Sequence, residues 1–247
     1  VVPGFVTTYA DGVPGTALYI DTAKKIGILV NFETQQTTQF DLASLEKIQA
    51  LTLRSASEAI ILGNGLYKLD LSKVGAPVAV KPVGDSNRAA TLIGSYENYV
   101  YLFNPEKRNI FRHLIRKDGY SDPIGWLLSP LTLPADMVHS LKVDGDVWLS
   151  TKDGQIKKFT SGRSTSFALT NLEQPLEGPV QVYTTATDQY LYAFVPTQQR
   201  VVQLTKDGVV VKQIKSEVLS GAHSVVVDEV RGNLFAVSGS VIYQAKL

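Results

Sequence analysis

The stretch YVYLFNPEKRNIFR, residues 99–112, decides the fold. It begins with a run of aromatic and β-branched residues, passes through Asn104-Pro105 and a charged segment, and enters a second such run at Ile110. Asn tolerates a positive φ and Pro presets the first dihedral of a turn, so this pair favours chain reversal. Two strand-like runs joined by such a turn predict an antiparallel hairpin.

The same pattern occurs six times in the 247 residues. We assign its centres to Ile28, Ile60, Tyr101, Trp148, Tyr192 and Phe235. Successive steps are 32, 41, 47, 44 and 43 residues. Four short strands with their turns need about 40 residues, which is the period of a propeller blade. No segment has a long helical period, so we predict an all-β, six-bladed β-propeller forming a single domain over residues 1–247.

The two ends of the chain predict how the ring closes. The last repeat ends on its third strand at residues 243–247, whereas residues 4–9 form a strand-like run before the first repeat. We expect residues 4–9 to be the outer strand of the last blade, because this would remove an open sheet edge.

The short first step has its own consequence. A step of 32 residues is about ten residues below the others, so we expect the first blade to lack its fourth strand. Residues 37–42 would then be its outermost strand, covered by the turn at 43–47 or by a strand from a partner.

The repeats resemble the superfamily of six-bladed propellers that includes NHL-type and related β-meander repeats. The resemblance lies in period and strand pattern over nearly the whole chain. The Gly-His and Trp-Asp pair of WD repeats, the double Gly of kelch repeats and the Tyr-Trp-Thr-Asp signature of receptor propellers do not occur. The resemblance therefore implies a fold and no particular function.

Composition excludes several classes of function. The 24 basic and 23 acidic residues give a net charge of +1, so no overall field attracts nucleic acid or anionic lipid. There is no cysteine, which excludes disulfides, thiolate metal sites and cysteine nucleophiles, and leaves the compartment open. No apolar run approaches the roughly 20 residues of a membrane span, so we expect no membrane insertion of this domain.

The chain begins at Val1 and its one methionine is Met137. The chain is therefore either a mature product or an excised part of a longer protein, and we expect the second. We also expect it to be monomeric. Its partners would be another protein, a neighbouring domain or a small polar ligand.

The first strand of each blade lines the central channel of a propeller, and the beginnings of these strands surround one mouth. Aligning the repeats places six residues there: Thr16, Gln49, Arg88, His139, Gln181 and His223. Both histidines precede a serine. Two imidazoles in a polar mouth can bind an anion, a metal or another polar ligand. The alternative is a water-filled lining with no ligand.

Other chemical sites lack their sequence signals. Lactonase-type propellers resemble this fold and hold calcium in the channel, but here acidic residues such as Asp21, Asp144 and Asp228 fall in turns. The histidines have no short zinc-type spacing, and there is neither a phosphate-binding glycine loop nor a Gly-x-Ser-x-Gly elbow. We assign no catalytic residue and expect no metal and no cofactor.

The segment at residues 123–134 is apolar and bracketed by prolines. Its first half fits an outer strand. Its second half is either a docking surface or a loop that covers a gap between two blades.

These observations favour a non-catalytic binding or scaffolding module that recognises a protein or small polar ligand at one channel mouth. The alternative is a hydrolase or lyase acting on a small polar or carbohydrate substrate in the channel. A carboxylate cluster at the mouth would favour the enzyme, and a rim of histidines and amides would favour the binding module.

Overall fold

The computed structural model describes residues 4–80, 89–117 and 119–247. Almost all regular structure in these residues is β-strand, in six antiparallel sheets that follow one another along the chain. In each sheet the first three strands form a meander in which consecutive strands pair, as short Asn-, Asp- and Gly-containing turns favour. The predicted six-bladed β-propeller is confirmed.

The described residues of the first three blades form thirteen strands. Blade 1 consists of β1 (Tyr9–Val13), β2 (Thr16–Asp21), β3 (Ile26–Asn31) and β4 (Thr37–Asp41). Blade 2 consists of β5 (Ala50–Ser55), β6 (Glu58–Leu62), β7 (Leu66–Asp70) and β8 (Val78–Val80). Blade 3 consists of β9 (Leu92–Tyr96), β10 (Tyr99–Asn104), β11 (Asn109–Arg116), β12 (Gly119–Tyr120) and β13 (Ile124–Gly125).

The last three blades contain eleven strands. Blade 4 consists of β14 (Val138–Val143), β15 (Val147–Thr151), β16 (Ile156–Thr160) and β17 (Arg163–Thr165). Blade 5 consists of β18 (Gln181–Tyr183), β19 (Tyr190–Val195), β20 (Arg200–Thr205) and β21 (Val210–Lys215). Blade 6 consists of β22 (Ala222–Asp228), β23 (Asn233–Ser238) and β24 (Val241–Lys246).

The first strands of the blades form the inner ring. Each contacts the first strand of the next blade, and β22 contacts β1, so the ring is closed. The second strands lie between neighbouring blades and are buried on both faces, which is why β2 is buried at every residue. The core is divided among the seams between blades: one cluster joins Leu18 and Phe40 of blade 1 to Leu51 and Ile61 of blade 2.

The prediction of a short first blade is wrong. Ile28 lies on β3, and the strand that corresponds to the other five centres is β2, which carries Tyr19. The step from Tyr19 to Ile60 is 60 − 19 = 41 residues, like the others. β2 and β3 are both apolar and four residues apart, so the pattern alone assigned the wrong one. Blade 1 has four strands, and β4 is its outermost strand as predicted.

The predicted closure by residues 4–9 is also wrong. Regular strand begins only at Tyr9, on the inner strand β1, and no described residue pairs with the outer edge of β24. Two hydrogen bonds hold the preceding segment on blade 1: the Val6 N–H donates to Asp21 Oδ2 (2.8 Å) and the Thr8 N–H donates to Ile20 O (2.7 Å). The segment therefore extends the β1–β2 pairing and does not cross to blade 6.

Side chains join blade 6 to blade 1 instead. The rings of Phe32 and Phe235 stack with their centroids 3.6 Å apart and 6° between their planes. Asp228 accepts the Gly15 N–H (3.1 Å), and Arg231 reaches both Asp228 and Glu33 at 3.1 Å. An aromatic stack and a small ionic network thus hold the seam where the chain's two ends meet.

The apolar segment at residues 123–134 covers a seam between blades 3 and 4. Ile124 and Gly125 form β13 and pair with β11, as an outer strand should. Trp126, Leu127 and Leu131 are buried in the cluster that both blades share, which supports the covering loop over the docking surface. None of the described residues belongs to a helix long and apolar enough to cross a membrane.

Phe235 tests the closing seam. We expect Phe235→Ala to lower the free energy of unfolding by about 3 kcal/mol, because it removes a buried ring and its stacking contact with Phe32. Urea denaturation followed by circular dichroism measures this change. The control is Val230→Ala at an exposed position nearby in the chain, which should change stability by less than about 0.5 kcal/mol. Equal effects of the two substitutions would contradict a closure carried by this stack.

Candidate functional site

The channel has a cavity at each end. The cavity that we call the near mouth has a volume of about 220 Å³, and the inner strands begin around it. It brings together four of the five predicted ligand-binding residues: Gln49, His139, Gln181 and His223. Arg88, the fifth, lies outside the described residues. Thr16, aligned with them in the sequence, is on the second strand of its blade, and Thr8 takes its place in the mouth.

Both histidines occupy β-bulges. The pairing of β14 with β15 shifts register between Val138 and Ser140, so that His139 is the extra residue. The pairing of β22 with β23 shifts in the same way between Ala222 and Ser224, at His223. A bulge turns a side chain away from the pleated surface and is frequent beside functional sites. Here the bulges free both imidazoles, which are exposed in the mouth.

The serine after each histidine ties neighbouring inner strands together. Ser140 Oγ accepts the Val182 N–H at 2.9 Å, which links β14 to β18. Ser224 Oγ accepts from Gln181 Nε2 at 3.3 Å, which links β22 to β18. In each His-Ser pair the imidazole therefore faces the near mouth, and the serine hydroxyl bonds to the neighbouring inner strand β18.

The two glutamines differ in what they offer a ligand. With its amide oriented to satisfy both ends, Gln49 donates to Gly63 O (2.9 Å) and accepts from Lys47 Nζ (3.1 Å). Gln49 thus holds the loop before β5. Gln181 has a buried Oε1 with no hydrogen-bond partner. An unpaired buried acceptor is unfavourable, and this one belongs to a residue that lines the mouth.

An ion pair across the channel forms the floor of the near mouth. Lys142 Nζ, on β14, contacts Asp11 Oδ1, on β1. These strands are first and fourth in a ring of six, so the pair spans its diameter. Asp11 also accepts the N–H groups of Gly12 (2.9 Å) and Leu53 (2.8 Å), which satisfies a buried carboxylate.

Tyr183 and a close backbone approach at Gly12 lie next to this ion pair. Lys142 Nζ lies 5.1 Å from the centroid of the Tyr183 ring, and the Tyr183 hydroxyl donates to Gly12 O (3.2 Å). Burial, and secondly the charge of Asp11, raise the pKa of Tyr183, so that its hydroxyl stays protonated. A Cβ on Gly12 would lie 2.4 Å from Val226 Cγ1, so only glycine fits here.

A second cavity of about 320 Å³, which we call the far mouth, lies where the inner strands end. Lys142 borders both cavities. Beside the far mouth, a carboxyl pair between blades 5 and 6 has an unusual titration. Burial raises the pKa of both Asp188 and Glu229, and they share a hydrogen bond that itself raises the pKa of Glu229.

Basic side chains line the near mouth. Its described lining includes Lys142 and two histidines and no Asp or Glu. The surrounding protein removes part of the hydration of the His139 imidazole, and this desolvation, followed by the charge of Lys152, lowers the pKa of His139 below its usual range. A bound anion would act in the opposite direction, since it favours the protonated imidazole. Within the described ranges, no three His, Cys, Asp or Glu side chains gather closely enough to hold a metal ion.

Lys142, Asp11 and Tyr183 have no counterpart among the site residues predicted from the repeat pattern. The alternation of polar and apolar residues on β14 was the available signal for Lys142. Ser140 and Lys142 alternate with Leu141 and Val143, so one face of the strand is polar. A charged residue on a strand facing a narrow channel needs a counter-charge, but the sequence does not say which blade supplies it. Asp11 lies 131 residues away in the chain.

No protein-family model matches the chain, and no curated protein matches it. Solved structures do. A protein of unknown function from Bacteroides thetaiotaomicron is 13% identical, with a TM-score of 0.72 over 100% of this chain and 70% of its own. A catalytically inactive virginiamycin B lyase from Staphylococcus aureus, with quinupristin, is 16% identical, with a TM-score of 0.60 over 100% of this chain and 86% of its own.

Another structure, described as a streptogramin B lyase, is 11% identical, with a TM-score of 0.59 over 100% of this chain and 84% of its own. At such identities the likeness concerns the fold alone. It agrees with the six sheets and the closed inner ring, which give the chain the six-bladed β-propeller fold.

Proposed function

We propose that this propeller is a binding module that holds a small anionic ligand in the near mouth. The observation that carries the proposal is the placement of His139 and His223 on equivalent bulges in one cavity, above Lys142. Imidazolium and ammonium groups are suited to carboxylate and phosphate groups because their hydrogen bonds are charge-assisted. The cavity is recessed, which favours a small molecule over a folded protein as its ligand.

The free acceptor of Gln181 narrows the chemistry of the ligand. Its Oε1 needs a donor, which a simple anion such as sulfate lacks. A ligand with a carboxylate or phosphate and a neighbouring hydroxyl would satisfy the imidazoles and the amide together. A volume of about 220 Å³ limits it to a compact molecule, such as a hydroxycarboxylate or a sugar acid.

The alternative, a hydrolase or lyase, has less support at this mouth. Glycoside hydrolysis needs two carboxyl groups at a defined separation, and the described lining offers none. The imidazoles could still act as bases, so the binding test should include a search for turnover of the bound compound.

Binding should depend on charge and pH. We expect gluconate to bind more tightly than glucose, its neutral counterpart, and to bind more tightly at pH 5.5 than at pH 8. The sign follows from His139: its pKa is lowered in the free protein and would be raised by a bound anion, so binding takes up a proton and strengthens as the pH falls. Isothermal titration calorimetry in two buffers of different ionisation enthalpy measures both affinity and proton uptake.

Three alanine variants distinguish binding in the near mouth from a general effect of the protein's charge. His139→Ala and His223→Ala should each weaken binding about tenfold at pH 5.5, equivalent to about 1.4 kcal/mol. Lys212→Ala removes a cation from an exposed outer strand and should leave the affinity unchanged. Binding of neither gluconate nor phosphate at millimolar concentration, or binding indifferent to both histidines, would contradict the proposal.

Gln181 should distinguish ligands that carry a hydroxyl from those that do not. We expect Gln181→Met to reduce gluconate affinity about tenfold and to change sulfate affinity less than twofold, because of the two anions only gluconate can donate to Oε1. Stability should change by less than about 1 kcal/mol, since the lost bond to Ser224 is offset by removal of an unpaired acceptor. Equal losses for both anions would show that Gln181 only shapes the cavity.

A further inference from the structure

A groove beside the far mouth follows the seam between blades 3 and 4. It has a volume of about 480 Å³, and four aromatic side chains line it: Tyr96, Tyr99, Tyr101 and Trp126. We call it the aromatic groove. Tyr101 and Trp126 are 4% and 9% exposed and pack edge to face, so they lie at its base. A cavity of this size, with several rings and few polar groups, is typical of a site for an organic ligand.

Arg112 brings a positive charge into the aromatic groove. Its guanidinium Cζ lies 4.5 Å from the centroid of the Tyr99 ring, and the guanidinium also interacts with the Tyr101 hydroxyl. Among the described residues, no Asp or Glu forms an ion pair with Arg112. A guanidinium carries five N–H donors in a planar fork, so Arg112 keeps donors for a carboxylate that enters the groove.

A second cavity, of about 320 Å³, lies on the other side of Leu128. We call it the basic recess. Leu128 is 61% exposed and borders both cavities. Lys157 and Arg163 line the recess, and neither has an ion-pair partner in the part of the chain that the structure describes. Three residues with hydroxyl groups complete the polar lining: Ser129, Thr132 and Ser164.

The charges along this seam favour an anionic ligand. The described linings of the two cavities contain Arg112, Lys157 and Arg163 against one carboxylate, Glu97. Glu97 also borders the far mouth, so it lies at the end of the groove away from the basic recess. The whole protein has a net charge of +1, so this excess is local. Because the cations are spread over two cavities, the ligand that complements them is extended and carries more than one negative charge.

The lining favours a sugar chain over a peptide. The flat face of an aromatic ring carries partial negative charge and packs against the C–H face of a pyranose, while hydroxyl groups of the lining bond to those of the sugar. An extended peptide gains its affinity chiefly from main-chain hydrogen bonds to a strand edge. The edges that border the two cavities belong to β13 and β17, which are two and three residues long. They offer a peptide few such bonds.

We propose that the aromatic groove and the basic recess together bind an acidic sugar chain, a polyuronate whose carboxylates pair with Arg112, Lys157 and Arg163. The apolar segment that covers this seam then has two sides. Its buried residues fill the gap between the blades, and Ile124 and Leu128, 59% and 61% exposed, contact the ligand. The site shares no described lining residue with the near mouth, so it does not depend on the small anion proposed there.

Isothermal titration calorimetry of the intact chain at pH 7 tests this site with octagalacturonate and octamannuronate. We expect at least one of them to bind with a Kd below about 100 μM. Its methyl ester, which has the same rings without charge, should bind at least about tenfold more weakly, and so should octaglutamate, which has the charge without rings. Binding should also change the fluorescence of Trp126, since Trp148 is fully buried at another seam.

Variants in both cavities make the result specific. Arg112→Gln and Arg163→Gln should each weaken uronate binding at least about fivefold. Arg163 is exposed on the outer strand of blade 4, so its substitution leaves the ring folded. The matched control, Lys212→Gln on the outer strand of blade 5, removes the same charge and should leave the affinity unchanged. His139→Ala should weaken gluconate binding alone, which keeps the two proposals distinguishable.

Two results would overturn the proposal. One is binding of neither uronate at millimolar concentration, or binding indifferent to both arginine substitutions. The other is equal affinity for octaglutamate, because the site would then recognise an acidic peptide and not a sugar.

Discussion

The contact between Lys142 and Asp11 is the constraint on which the rest of the ring depends. It joins the inner strands of opposite blades, and each of its two groups would be costly to bury alone. Tyr183 and the close approach at Gly12 lie beside it. The cavities at the two ends of the channel differ in their chemistry. The near mouth carries the histidines, and the far mouth carries hydroxyls and the carboxyl pair nearby.

The chemistry of the near mouth depends on two β-bulges that interrupt the regular pairing of its strands. A regular strand would direct alternate residues into the core, but the two bulges release His139 and His223 from that alternation. The serines behind them hold the bulged strands to blade 5, and Gln181 is left with an unpaired oxygen. Natural proteins keep such unfavourable groups where function needs them, which is why this mouth and not the far one is our candidate site.

Local pattern was enough to predict the blades, since aromatic and β-branched runs separated by Asn, Asp and Gly turns specify hairpins without tertiary information. The same logic brought Gln49, His139, Gln181 and His223 to one mouth, because equivalent positions of a repeat meet around the axis. It failed where two neighbouring strands were equally apolar, so that Ile28 was taken for Tyr19. It could not find Asp11 and Lys142, because a contact across a ring depends on which blades stand opposite. It also misjudged closure, which rests on Phe32, Phe235 and Arg231 and not on an added strand.

A double-mutant cycle on Asp11 and Lys142 measures the central contact most directly. Lys142→Met leaves a buried carboxylate without its counter-charge and should lower the free energy of unfolding by about 3–5 kcal/mol. Adding Asp11→Asn removes that charge while keeping an acceptor for the Leu53 N–H, so the double variant should be more stable than Lys142→Met alone by about 2 kcal/mol. If instead the two substitutions add to within about 0.5 kcal/mol, the pair is not coupled and does not hold the ring together.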